Sequence, residues 1–142
     1  MTTAAGVRWE DVHKGMALPE LRFEVTVTTL AKDVAGTRDI YPIHHDPAFA
    51  KANGARDIFL NTMWYQGLLG RYATDWAGPE AFLRKLGFDM RGTNCPGDVL
   101  TVHGTVTDKR EVDGEKLVDL DVRIDNQVQA DSVVARMTVS LP

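Results

Sequence analysis

Cysteine is almost absent from this chain. Cys95 is the only one in 142 residues, which excludes a disulfide framework and a cysteine-based zinc spacing. Long apolar runs are missing too. The longest uncharged stretch, Ile58 to Gly70, has 13 residues, whereas a helix that crosses a bilayer needs about 20. Positive charge is sparse: 16 Lys and Arg are scattered against 20 Asp and Glu, a formal net charge of -4. No basic stripe of the kind a nucleic-acid partner requires can be drawn from them. The opening residues, MTTAAGVRWEDV, lack a basic region followed by an apolar core, so they do not read as a secretory signal. A soluble cytoplasmic protein, with neither membrane nor nucleic acid as partner, is the expectation. At this length one domain spanning 1–142 is expected, and it can bury roughly two thirds of its unfolded surface without staples.

Periodicity supplies the fold class. Phe23, Val25 and Val27 alternate with Glu24, Thr26 and Thr28, the period-two pattern of a half-buried strand. The same alternation runs through Leu100, Val102 and Val106, through Val118 to Ile124, and through Val133 to Leu141. Asp113-Gly114 between two of these runs is a hairpin-turn signal. The C-terminal third therefore reads as an antiparallel meander. In the middle, Leu60, Met63, Trp64, Gly67, Leu68 and Tyr72 fall at helical spacing, with Gly67 suggesting a close approach to the helix backbone. A long apolar helix among antiparallel strands has to be wrapped by them. The class is α+β.

The chemistry concentrates in RDIYPIHHDPAFAKANG, residues 38–54. His44 and His45 are neighbours and point apart in extended chain. Asp46 could join His44, but two ligands do not make a metal site, and His13 and His103 fall at no recognisable spacing. No metal is expected. Asp39 and His44 are joined by a segment that Pro42 stiffens, since it fixes its own φ and pushes Tyr41 out of the helical region. Such a turn can aim a carboxylate and an imidazole at one water for acid/base work. The bland alternative is a turn-capping Asp39 and a half-buried, hydrogen-bonded His44, and spacing alone does not choose between them. Asp46-Pro47 fits the N-cap and first residue of a short helix.

Residues 38–63, RDIYPIHHDPAFAKANGARDIFLNTM, resemble the signature of MaoC-like (R)-specific enoyl-CoA hydratases. Asp39, Pro42, His44, Asp46, Ala50, Gly54 and Met63 fall in step with it. CPGDVLTVHGTV, residues 95–106, resembles a strand entry of the same superfamily. Tyr41 stands where the family has Asn, and Asn61-Thr62 where it has His-Gly. GARDIFLN and RYATDWAGP (71–79) resemble a narrower group, the small MaoC-like subunit of actinobacterial steroid side-chain enoyl-CoA hydratases. In that group the small subunit carries the Asp and His, and its larger MaoC-like partner lacks them.

The resemblance implies a single hot-dog domain, an antiparallel sheet wrapped around a long central helix. It implies dimers formed through joined sheets, either with a second MaoC-like subunit or with a second copy. It also implies hydration of a trans-2-enoyl-CoA thioester with a bulky steroid side-chain acyl group. Asp39 and His44 would be the catalytic pair, with Thr62 at the position of the family's oxyanion glycine and Asn61 as a further substrate-binding donor. No cofactor is implied, since CoA is part of the substrate. Two rivals stand beside this reading: a hot-dog acyl-CoA thioesterase, and a non-catalytic partner subunit of a hydratase. Against the first, residues 60–74 contain no acid. Against the second, both Asp39 and His44 are present. Aromatics such as Trp64, Tyr65 and Trp76 read as core, and Cys95 as an inert packing thiol.

Overall fold

The structure, a computed structural model, describes residues 6–142. Five antiparallel strands form one sheet in the order β1-β3-β4-β5-β2. They are β1 (Leu21–Glu24), β2 (Phe82–Met90), β3 (Val99–Val112), β4 (Glu115–Asp125) and β5 (Val133–Leu141). The last three are neighbours in chain order, the meander that the alternation predicts. β3 and β4 are joined at Asp113 (φ 53) and Gly114 (φ 79). Two successive left-handed residues make the turn whose twist matches a two-residue hairpin.

Among the described residues three α-helices accompany this sheet: α1 (Val27–Thr37), α2 (Pro47–Ala52) and α3 (Thr62–Ala77). The helix α3 buries Tyr65, Leu68, Leu69, Tyr72, Ala73 and Trp76, against a strand layer of Leu100, Val102, Val118, Leu120, Val122, Ile124, Val133, Met137 and Val139. Gly104 on β3 shows how closely the layers meet. A Cβ there would lie 3.1 Å from the Tyr72 ring and 3.3 Å from Leu18. The hot-dog arrangement, a sheet around a central helix, is the architecture of this chain.

Three expectations need correction. The alternation from Phe23 to Thr28 ends as a strand at Glu24. Thr26 is instead the N-cap of α1, in a reciprocal capping box with Thr29, and Val27 is 67% exposed. Two exchanged side-chain-to-backbone bonds at Thr26 outweigh a short stretch of strand propensity. The apolar stripe of α3 is also rotated from the one that spacing suggests. Met63 is 41% exposed, and the core face begins at Tyr65. Finally, no close approach explains Gly67: a Cβ there would meet nothing within 4 Å. Gly67→Ala should accordingly raise stability by about 0.5–1 kcal/mol, the usual gain in an exposed helix interior. Thermal unfolding would register this as about 2 °C.

Candidate active site

Helix α1 ends at Thr37, and Arg38 takes the left-handed conformation (φ 58) that turns the chain out of the helix. Asp39 follows at once. Tyr41 is extended (φ -62, ψ 130), and residues Pro42–His44 form a single 3-10 turn. The Asp39 carboxylate is used on both sides. Its Oδ1 accepts the Tyr41 N–H at 3.3 Å, which pins the turn, and its Oδ2 lies 3.3 Å from His44 Nε2.

His44 is buried, and its other nitrogen decides its orientation. Nδ1 is 2.7 Å from the Phe59 carbonyl oxygen. A carbonyl only accepts, so Nδ1 carries a hydrogen, and Nε2 is the nitrogen presented to Asp39. The Phe59 ring meets the imidazole edge-on at 5.2 Å, closing its other side. The Asp39 side chain is 29% exposed against 9% for His44, so the pair opens outward from the carboxylate side.

The neighbouring polar residues divide cleanly. Asp46 caps α2, accepting from the Ala48 and Phe49 N–H groups at 3.0 and 3.1 Å. His45 is exposed and donates to the Ile40 carbonyl at 3.0 Å. His103 pairs with Asp125 at 2.9 Å on the sheet. Among the described residues no group of three or more His, Cys, Asp or Glu could hold a metal ion, and no helix is long and apolar enough to cross a membrane.

Asn61 and Thr62 start α3. Asn61 is the N-cap, its Oδ1 accepting from the Trp64 N–H at 2.9 Å, and its amide donates to the Thr37 hydroxyl at 2.8 Å. Thr62 occupies the first helical position. Its N–H is one of those a helix leaves without an internal partner, at the positive end of the helix dipole. Such a group is suited to an oxyanion.

Three contributors escape sequence reasoning. The Phe59 carbonyl is a backbone atom and leaves no trace in a side-chain motif. Thr37 and Asp33 lie on α1, whose helical period is visible only in hindsight as Leu30, Asp33 and Thr37 on one face. Asp33 is buried, and its Oδ2 accepts the Asn61 N–H at 3.0 Å. Burial pushes its carboxyl above the ordinary range, against the pull of that hydrogen bond. Beside these residues, between α1 and α3, lies a cleft of about 460 Å³ with Phe23, Met63, Trp64, Gly67 and Leu68 in its walls.

The segment that presents Phe59 is anchored from the turn that enters β3. Arg56 grips the buried Asp98 carboxylate with two nitrogens, at 3.2 and 2.5 Å. Asp98 also accepts from the Cys95 N–H at 2.8 Å and from Gln127 at 3.2 Å. Cys95 itself is buried, and burial pushes its thiol up despite the nearby Arg56.

Comparison with known proteins bears on the family and the fold. The family described as "MaoC like domain" matches residues 17–128. The 3-oxo-4,17-pregnadiene-20-carboxyl-CoA hydratase beta subunit of Mycobacterium tuberculosis (strain ATCC 25618 / H37Rv) is 39% identical over 93 residues, 66% of this chain and 72% of that protein. A chain in the crystal structure of the ChsH1-ChsH2 complex from Mycobacterium tuberculosis superposes with a TM-score of 0.83 at 35% identity, covering 92% of this chain and 98% of that one. The (R)-hydratase of A. caviae involved in PHA biosynthesis shares the fold, with a TM-score of 0.76 at 23% identity over 94% of this chain and 99% of that one. With the signature, the hot-dog architecture and the match over most of its length in agreement, this chain belongs to the MaoC-like family and resembles within it the steroid side-chain hydratase subunits.

Proposed function

We propose that this chain is the Asp/His-bearing subunit of an enoyl-CoA hydratase that acts on a steroid side-chain thioester, paired with a second MaoC-like subunit. The observation that carries the reading is the His44 ring, held at Nδ1 by the Phe59 carbonyl with Nε2 facing Asp39 Oδ2 at 3.3 Å. The relative named as a 3-oxo-4,17-pregnadiene-20-carboxyl-CoA hydratase beta subunit supports the substrate class. The relative in a two-protein complex supports the pairing. So do the exposed apolar side chains next to Asp39 in the chain: Ile40 and Tyr41 offer a partner something to cover.

In the proposed reaction the Asp39 carboxylate takes a proton from a bound water as the water oxygen forms its bond to the β-carbon. The double-bond electrons move toward the thioester, whose oxygen becomes an enolate. The Thr62 N–H and the α3 dipole stabilise that charge, while Asn61 fixes where the helix begins. Protonated His44 gives its Nε2 proton to the α-carbon, and the proton held by Asp39 then passes to Nε2 and resets the pair. One proton enters the pair from water and one leaves it for product, so the pair ends as it began and no cofactor is needed.

The test combines this chain with a second MaoC-like subunit and follows the conjugated enoyl-thioester absorbance on a steroid side-chain enoyl-CoA and a short straight-chain one, with free thiol monitored together. Loss of absorbance without thiol release is the expected result. Thiol release would make the protein a thioesterase instead. Thr62→Pro isolates the oxyanion donor, because proline suits the first helical position and leaves α3 intact. It should lower kcat about 10²-fold, and normal turnover would exclude the Thr62 N–H.

A further inference from the structure

We propose that Asp33 is a positioning residue that locks the two halves of the reaction centre, the Asp39 turn and the start of α3, into one frame. This rests on the hydratase reading for its kinetic consequence, though not for its geometry. A reciprocal capping box satisfies itself. The N-cap side chain accepts from the third helical residue, and that residue's side chain accepts from the N-cap N–H. In α3 only the first half is local, between Asn61 and Trp64. Trp64 has no acceptor to offer in return. Asp33 supplies the missing acceptor from another helix, with its Oδ2 3.0 Å from the Asn61 N–H.

The same short stretch of α1 reaches the backbone of Asp39, the residue that carries the reacting carboxylate. The Thr37 hydroxyl donates to the Asp33 carbonyl at 2.6 Å. It accepts from the Asn61 amide at 2.8 Å and from the Asp39 N–H at 3.3 Å. One hydroxyl thus uses its donor and both acceptor sites. The chain of contacts runs from Asp39 through Thr37 to Asn61 and back to α1 through Asp33, so the base and the helix start cannot shift independently.

A purely structural part would not be built this way. Asp33 is 3% exposed, and its Oδ1 has no hydrogen-bond partner among the described residues. A buried carboxyl with one orphan oxygen is a poor stabiliser, and an apolar residue on the same face of α1 would pack at lower cost. What the carboxyl contributes is a fixed acceptor at the start of α3. A displacement of about 1 Å at a reacting group is enough to slow catalysis about 10²-fold.

The experiment uses the assembled complex with Asp33→Ala, Asp33→Asn, Thr37→Val and a control, Leu30→Ala, which removes a buried α1 side chain outside the chain of contacts. Asp33→Ala and Thr37→Val should lower kcat about 10- to 100-fold with KM within about twofold. Asp33→Asn, whose amide oxygen can still accept from Asn61, should recover most of the loss. Leu30→Ala should lower Tm at least as much and keep kcat. Amide hydrogen exchange supplies a readout without activity: in Asp33→Ala the Asn61 and Asp39 N–H groups should both exchange at least about tenfold faster, while in Asp33→Asn they stay protected. Full kcat in Asp33→Ala, an equal loss in Asp33→Asn, or an equal loss in Leu30→Ala would each overturn the proposal. A wild-type complex that hydrates neither substrate would sink the hydratase reading instead. The exchange result would then decide the positioning claim alone.

Discussion

Asp39→Asn in the complete complex is expected to lower kcat for enoyl-thioester hydration by about 10²- to 10⁴-fold, the range a positioned general base contributes. The substitution discriminates because it spares the turn. Asp39 Oδ1 accepts the Tyr41 N–H, and an amide oxygen can take the same bond. What changes is the group opposite His44 Nε2. An amide cannot take a proton from water, and its NH₂ would face the nitrogen that now faces a carboxylate oxygen at 3.3 Å. The loss should therefore appear in kcat with Tm within a few degrees of wild type. A variant that hydrates at the wild-type rate would remove Asp39 from the reaction and favour a chain that only completes its neighbour's site.

Asp98→Ala is expected to cost about 3 kcal/mol of stability. The Asp98 carboxylate is 1% exposed on its side chain, and its Arg56 partner is 41% exposed, so the solvated end of that pair contributes little by itself. The larger loss is inside. The buried Cys95 N–H keeps no acceptor once the carboxylate is gone, a penalty of about 1–3 kcal/mol. The contacts to Arg56 and Gln127 vanish with it. For a domain of this size that amounts to roughly 10 °C in Tm, readable by thermal unfolding. A shift below about 2 °C would mean that Asp98 is not the anchor described. The function should suffer as well, because Arg56 tethers the segment whose Phe59 carbonyl orients His44.

Much of this was legible in the order of residues. Alternation of branched apolar residues marks β3, β4 and β5, because a strand with one buried face repeats every two residues. Pro42 predicts the extended Tyr41, and Asp46-Pro47 predicts the cap of α2, because both act within a few residues of themselves. The residues in step around Asp39 and His44 mark the family, and the structure brings those two side chains to 3.3 Å. β1 and α1 were not separable in the same way. Phe23 to Thr28 satisfies a strand pattern, and only the bonds actually formed at Thr26 end the strand there.

What tertiary structure alone decided is which atoms meet. That His44 Nδ1 is held by a carbonyl 15 residues away, and that Asp33 accepts from a helix N-cap 28 residues beyond it, cannot be read from local spacing. Those contacts depend on how α1, the Phe59 segment and α3 pack together. Local sequence determines periodicity, turns and caps because they arise from neighbouring dihedrals and nearby side chains. The hydrogen-bonded geometry of the site arises from burial and long-range contacts, which exist only once the sheet and α3 have closed around their core.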